Sequence, residues 1–212
     1  MKYLILGDIH GNLVALEKVK KHFFNRADVI VCHGDVVNYG PWSNECVDLL
    51  DAEDVICLKG NHEEAYLKGF YPGQNELVKR FFATTFDKFT KIETIKTYDE
   101  VFENEFIKVM HTINNKYYYP DTDLTGLVLN KNLIVGHSHY PFIREWNKYK
   151  FVNTGSVGQN RKKLSLINFV IYDSEKNDFE LFELEYNANP IIKEMKNRSY
   201  PSDCINYYKS KL

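Results

Sequence analysis

The chain has 212 residues, 44% hydrophobic and 26% charged, which suits one ordinary globular core. Its 27 basic and 29 acidic residues leave a net charge of −2, too little positive charge to hold a nucleic-acid backbone, so no stable nucleic-acid partner is expected. No apolar run approaches the ~20 residues of a membrane span, the first residues do not read as a signal peptide, and the four cysteines lack zinc-like spacing.

In chain order, the run Tyr3-Leu4-Ile5-Leu6 predicts a first strand, and Gly7-Asp8-Ile9-His10-Gly11-Asn12 follows at once. Leu13, Leu16, Val19 and Phe23 recur at spacings of three and four, which predicts a helix over 12–25 with Asn12 as its N-cap. Residues 28–32 and 54–58 read as buried strands, because their apolar residues do not alternate, and a short helix falls between them at 44–51. A strongly amphipathic helix is predicted over 75–90 and a strand at 106–110. Residues 114–123 read as an irregular loop and 123–130 as a short helix. Strands are expected at 133–135, 151–152, 166–172 and 179–184, the last with one wet face. Residues 189–211 predict two helices broken at Ser199-Tyr200-Pro201. Strand and helix alternate in the first third, which favours an α/β fold with parallel pairing. No Pro/Gly/Ser linker interrupts the chain, so 1–212 is expected to form a single domain. Cysteines 32 and 57 lie in apolar runs and read as reduced, buried thiols of a cytoplasmic protein.

The chemistry-bearing residues gather where apolar runs end. Asp8 and His10 follow the first run, Asp35 the second, and Asn61 and His62 the third. His111 follows the fourth run, and His137 and His139 follow the fifth. An open α/β sheet places its ligand sites at such strand ends. Two carboxylates, one amide and five imidazoles make a donor set of hard oxygens and nitrogens suited to Mn, Fe, Zn or Ni, with no thiolate needed. Asp8 with His10, and His137 with His139, are two residues apart, so each pair can bite one ion or two neighbouring ions. A lone strand-end histidine is usually a cap or a bonded loop residue; here six of the seven histidines sit near such ends. His33 reads as a packed residue behind the site and His22 as solvent-facing.

The ordered series Asp8-x-His10, Gly34-Asp35, Gly60-Asn61-His62-Glu63, His111 and Gly136-His137-x-His139 resembles the signature of the calcineurin-like metallophosphoesterases. The segments 34–50, 136–142, 153–161 and 185–187 are similar to its small prokaryotic phosphodiesterase-like branch. The resemblance implies a four-layer α-β-β-α sandwich, two mixed sheets flanked by helices, with a dinuclear metal site at the sheet edge. It implies two divalent cations, manganese first among Mn, Fe, Zn, Ni and Mg. Asp8, His10, Asp35 and His139 would hold one, and Asp35, Asn61, His111 and His137 the other. Asp35 would bridge them. His62 would not be a ligand but would act on the leaving oxygen, while a bridging hydroxide attacks phosphorus. Asn12 and Asn61 would approach the phosphate. Two ions about 3.5–4 Å apart suit an in-line phosphoryl displacement and supply the positive charge that the acidic chain lacks.

The implied activity is hydrolysis of phosphodiesters, nucleotide-derived and cyclic ones included, in a small-molecule or nucleotide substrate. The alternative is a phosphomonoesterase such as a Ser/Thr phosphoprotein phosphatase or a dinucleoside polyphosphate hydrolase, favoured by Glu63. A third reading is a non-catalytic protein-binding scaffold of the same fold. The protein-phosphatase branch has Asp-Arg where this chain has Asn38-Tyr39, so one phosphate-binding arginine of that branch is missing. Arg161 is a candidate replacement on the substrate, and Tyr117-Tyr118-Tyr119 a candidate stacking surface. A homo-oligomer stays open.

Overall fold

The computed structural model describes residues 1–212. Strands β1 (Lys2–Leu6), β2 (Val29–Cys32) and β3 (Ile56–Cys57) pair in parallel, and β9 (Leu166–Asp173) and β10 (Asp178–Glu185) extend the sheet antiparallel in the order β10-β9-β1-β2-β3. The second sheet runs β4-β5-β6-β8-β7, built from Val101–Glu103, Ile107–Met110, Asn132–Val135, Tyr149–Asn153 and Phe142–Trp146. Its central strands β5, β6 and β8 are parallel, while β4 and β7 are antiparallel edges. Two mixed five-stranded sheets thus face each other as expected.

Side-chain alternation decides what lies between them. Tyr3, Ile5, Val31, Val170 and Tyr172 from the first sheet meet Ile107, Val109, Ile134 and Val152 from the second in one apolar layer. The opposite face of the first sheet, including Leu4, Leu6 and Phe169, packs under the helices. These are α1 (Leu13–Phe23), α2 (Ser43–Ala52), α3 (Asn61–Lys68), α4 (Glu76–Phe86), α5 (Ile92–Lys96), α6 (Asn189–Asn197) and α7 (Ser202–Lys209). No helix is long and apolar enough to cross a membrane.

The helix predicted over 123–130 does not form. Asp123 turns its carboxylate onto the backbone N–H and hydroxyl of Thr125, but Gly126 then adopts a φ of +85°, through which no helix continues. The segment instead covers the outer face of the second sheet as irregular chain, with Tyr118 and Leu124 packed on Leu133, Val135, Phe142 and Phe151. The short polar edge strands β4 and β7 escape a pattern-based reading, as does α3, whose start is occupied by chemistry-bearing residues. The 75–90 pattern shortens to α4, which Asn75 caps by accepting from the N–H groups of Leu77 and Val78.

Glu63 ties two site-bearing loops together. Fully buried at the start of α3, its carboxylate accepts from the backbone N–H of Gly60 (2.8 Å), Asp35 (2.7 Å), Val36 (2.8 Å) and Val37 (3.1 Å). Four donors converge on two oxygens, an arrangement that a carboxylate satisfies and an amide cannot. Glu63→Gln is therefore expected to cost about 3 kcal/mol, read as a lower urea midpoint with an unchanged denaturant slope.

Candidate metal centre

All the chemistry-bearing residues stand at the carboxyl ends of parallel strands β1, β2, β3, β5 and β6. Sharp backbone turns put them there: Asp8, His10, Asp35, His137 and His139 all have φ between 49° and 67°. Non-glycine residues rarely hold that left-handed conformation, and its clustering here marks strain retained at a site. Hydrogen bonds hold the turns in place. Asp8 N–H donates to Gly34 carbonyl oxygen, His10 N–H to that of Asp35, and His137 N–H to Asp8 Oδ2, each at 2.9 Å. A Cβ on Gly60 would overlap the Asp35 carboxylate, and one on Gly136 the His33 ring, so both glycines are required by close approach.

The donor atoms meet in two adjoining groups around Asp35. In one, His139 Nε2 lies 3.3 Å from Asp8 Oδ1, and His10 Nε2 lies 3.3 Å from His139 Nε2 and 3.8 Å from Asp35 Oδ2. In the other, His111 Nε2 lies 3.3 Å from Asp35 Oδ2 and 3.1 Å from both Asn61 Oδ1 and His137 Nδ1.

Whether cations fit is decided by where the imidazole protons sit. His10 Nδ1 faces Val37 carbonyl oxygen (3.3 Å), His139 Nδ1 that of Gln159 (2.7 Å), and His111 Nδ1 that of His33 (3.2 Å). A carbonyl oxygen only accepts, so each Nδ1 carries hydrogen, and each ring when neutral presents an Nε2 lone pair. Lone pairs of His10 and His139 then face one another, while His111 Nε2 lies between the Asp35 carboxylate and His137 Nδ1, and His137 Nε2 is buried without a partner. Asp8 Oδ1 is buried without a hydrogen-bond partner. A positive ion in each group would satisfy every one of these atoms, and ring N–H groups held by carbonyls are a recurrent support of metal-ligating histidines. The donor set fits divalent cations.

Electrostatics agree. Burial holds His10 and His139 well below the usual histidine range and His137 down at about 4. These rings are neutral, the form that coordinates. Burial opposes ionisation of Asp35, but the surrounding imidazoles, His111 foremost, keep its carboxyl well below the usual range. Burial pushes Asp8 up to about 8, with Asp35 adding to the rise and His111 opposing it. Burial opposes protonation of His111, but Asp35, with Asp8 and Glu63 adding to it, raises it to about 9. His111 and Arg161 thus offset the buried charge of Asp8 only in part, and bound cations would complete it.

Above these atoms opens a cavity of about 230 Å³ whose walls include His10, Asp35, Asn61, His62, His137 and His139. Arg161 reaches its wall as well, with Nη1 donating to Tyr207 Oη (3.2 Å) and Gln159 Oε1 (3.3 Å). Asn12 does not. It is fully buried, its Oδ1 capping α1 at Ala15 and its Nδ2 donating to Gly158 carbonyl oxygen and Tyr186 Oη. Glu63 likewise faces backbone and not the cavity, so it offers no support for monoester chemistry. His33 packs behind the site against Thr154 Oγ1 at 2.7 Å. Sequence reasoning misses three tyrosines of the wall, Tyr39, Tyr71 and Tyr207. An aromatic on an amphipathic helix such as α7 reads as core, and Tyr39 and Tyr71 stand in loops without a pattern. Tyr117 of the predicted stacking loop does line the wall, its ring stacked 4.0 Å from that of His137.

Comparison with known proteins agrees with this geometry. The family described as calcineurin-like phosphoesterase matches residues 1–156. An uncharacterized protein of Methanocaldococcus jannaschii is 27% identical, with 92% of each chain covered. Serine/threonine-protein phosphatase 2 of Escherichia coli is 33% identical over 76 residues, 34% of each chain. The crystal structure of a metallophosphoesterase from Sphaerobacter thermophilus superposes with a TM-score of 0.84 at 21% identity, covering 100% of this chain and 99% of that one. With the family match spanning most of its length and the cation-ready cluster at the family's strand ends, the chain belongs to the calcineurin-like phosphoesterases, metal-dependent hydrolases of phosphate esters.

Proposed function

We propose that the protein hydrolyses phosphodiesters, nucleotide-derived ones included, with two divalent cations. The observation that carries this reading is the composition of the cavity wall. It holds one guanidinium, Arg161, together with Tyr39, Tyr71, Tyr117 and Tyr207. A diester carries one negative charge and an organic group on each side of phosphorus. One arginine matches the charge, and aromatic surfaces on both sides, Tyr71 stacked on His62 and Tyr117 stacked on His137, match the groups. Position 39 is a tyrosine, so the phosphate lacks a second guanidinium there.

Asp8, His10, Asp35 and His139 would hold one cation, and Asp35, Asn61, His111 and His137 the other. Bound there, the ions supply Lewis acidity, lowering the pKa of coordinated water and neutralising phosphate oxygens. Oxygen and imidazole donors without thiolate suit Mn, Fe, Zn or Ni alike, and the family resemblance makes manganese the first to try, with magnesium after these. The protein's own part is positioning. Arg161, braced by Tyr207 and Gln159, points a fixed guanidinium at a phosphate oxygen. Asn61 offers its amide at the cavity floor. His62 lies 3.9 Å from Asp35 Oδ2 through Nε2, placed to bond the leaving oxygen. The whole chain 1–212 acts as one domain in this reading, because Tyr207 near the carboxyl end closes a cavity whose floor begins at His10. Four free cysteines support a cytoplasmic setting.

The monoesterase reading draws on the similarity to the Escherichia coli phosphatase over one third of the chain. Bis(p-nitrophenyl) phosphate should turn over faster than p-nitrophenyl phosphate when manganese is added, and chelation should abolish both; faster monoester turnover would transfer the assignment to that alternative, and inactivity with metal present would favour a binding scaffold. His62→Ala should lower kcat roughly 10²-fold while metal content by elemental analysis stays at the wild-type level. Arg161→Ala should raise KM roughly tenfold or more with a smaller change in kcat, and Arg161→Lys should recover part of the loss.

A further inference from the structure

Asn38 distinguishes His62 from the other imidazoles of the site. Its side-chain nitrogen lies 2.9 Å from His62 Nδ1, and both residues are buried. The orientation of that amide is fixed independently, because its oxygen accepts the backbone N–H of Tyr39 at 2.7 Å and lies 3.2 Å from Thr85 Oγ1. Rotating the amide by half a turn would set N–H against N–H at Tyr39. The NH₂ group therefore points at His62 Nδ1, which must accept, so the ring hydrogen sits on Nε2. This differs from His10, His111 and His139, whose Nδ1–H groups face carbonyls and whose Nε2 atoms point at the donor cluster.

We infer that Asn38 is a positioning residue that keeps the His62 proton at Nε2, making that ring a hydrogen-bond donor that neither ligates a cation nor releases its proton, and so biases the enzyme toward leaving groups that depart as stable anions. This inference rests on the role proposed above for His62. The chemistry follows from counting protons. A ring with its only hydrogen at Nε2 can lend that hydrogen to the leaving oxygen. It cannot give it away without a second proton on Nδ1, and that position faces the N–H of Asn38. When the P–O bond breaks, the electron pair leaves on oxygen, steadied by the Nε2–H bond and not quenched by transfer. Phosphoanhydride and aryl ester leaving groups tolerate this better than alkoxides, so within the nucleotide-derived class proposed above it favours phosphoanhydride linkages over cyclic and simple alkyl diesters. Asn38 is suited to mutation because its φ of +72° is one that Gly adopts freely and Asp tolerates.

Two measurements test it. Nitrogen-15 NMR of the metal-free protein should show His62 Nδ1 as a bare acceptor and Nε2 as protonated. Asn38→Asp, whose carboxylate would accept from Nδ1–H and hold the doubly protonated ring, should instead show both nitrogens protonated, which permits full transfer from Nε2. In the manganese-loaded enzyme, the preference for p-nitrophenyl over phenyl as leaving group in matched methyl aryl phosphodiesters should fall at least roughly tenfold in Asn38→Asp and in the same direction in Asn38→Gly. A ratio of substrates is insensitive to lost metal or partial unfolding. A protonated Nδ1 in the wild type, or an unchanged ratio in both variants while His62→Ala is impaired, would overturn the inference. Full activity of His62→Ala on both esters would instead remove His62 from the mechanism, leaving the proton position as a separate, measurable fact.

Discussion

Lone pairs that face lone pairs define this molecule. Carbonyl oxygens at Val37 and Gln159 take up the Nδ1 hydrogens of His10 and His139, and what remains between those two rings is a pair of facing electron pairs, with the Asp8 and Asp35 carboxylates beside them. Such a cluster repels itself. It is tolerable in a buried place only if positive charge enters, so the fold and its cations are parts of one electrostatic solution. The acidic balance of the chain and its expected anionic substrate cease to conflict, because the local charge comes from bound ions and from Arg161.

The backbone is built around the same requirement. Consecutive loops cross-link at the strand ends: the Asp8 loop bonds the Asp35 loop, Glu63 bonds the Asp35 loop to the start of α3, and Asp8 Oδ2 receives the N–H of His137. Left-handed turns then aim side chains inward that extended chain would send to alternate faces. Rigidity of this kind fits a site where small displacements change the donor separations, which here are as short as 3.1 Å.

Much of this was legible in the residues. Apolar runs located most strands of both sheets, and the polar sets after them located the donor cluster, because strand-end placement is a property of parallel α/β topology and needs no distant contact to reveal it. The first part of the irregular cover, 114–123, was legible as a loop, but 123–130 was not. The turned Gly126, whose φ of +85° no helix continues through, decides against a helix there. Asn12 shows another limit. The family resemblance implied substrate contact there, yet the cap of α1 and Tyr186, distant in the chain, occupy its amide. The tyrosine wall escaped for the opposite reason: Tyr39, Tyr71, Tyr117 and Tyr207 come from four separate segments, and only Tyr117 stood in a stretch that drew attention.

The irregular cover has an implication for the shape of the cavity. Tyr118 is sunk against Phe151 while its neighbours Tyr117 and Tyr119 turn outward, stacked on one another and, through Tyr117, on His137. The footing of Tyr117, one of the four tyrosines of the wall, therefore lies in greasy contacts on the far side of a sheet, so a change of packing there would move an aromatic surface of the cavity without replacing any ion-holding side chain.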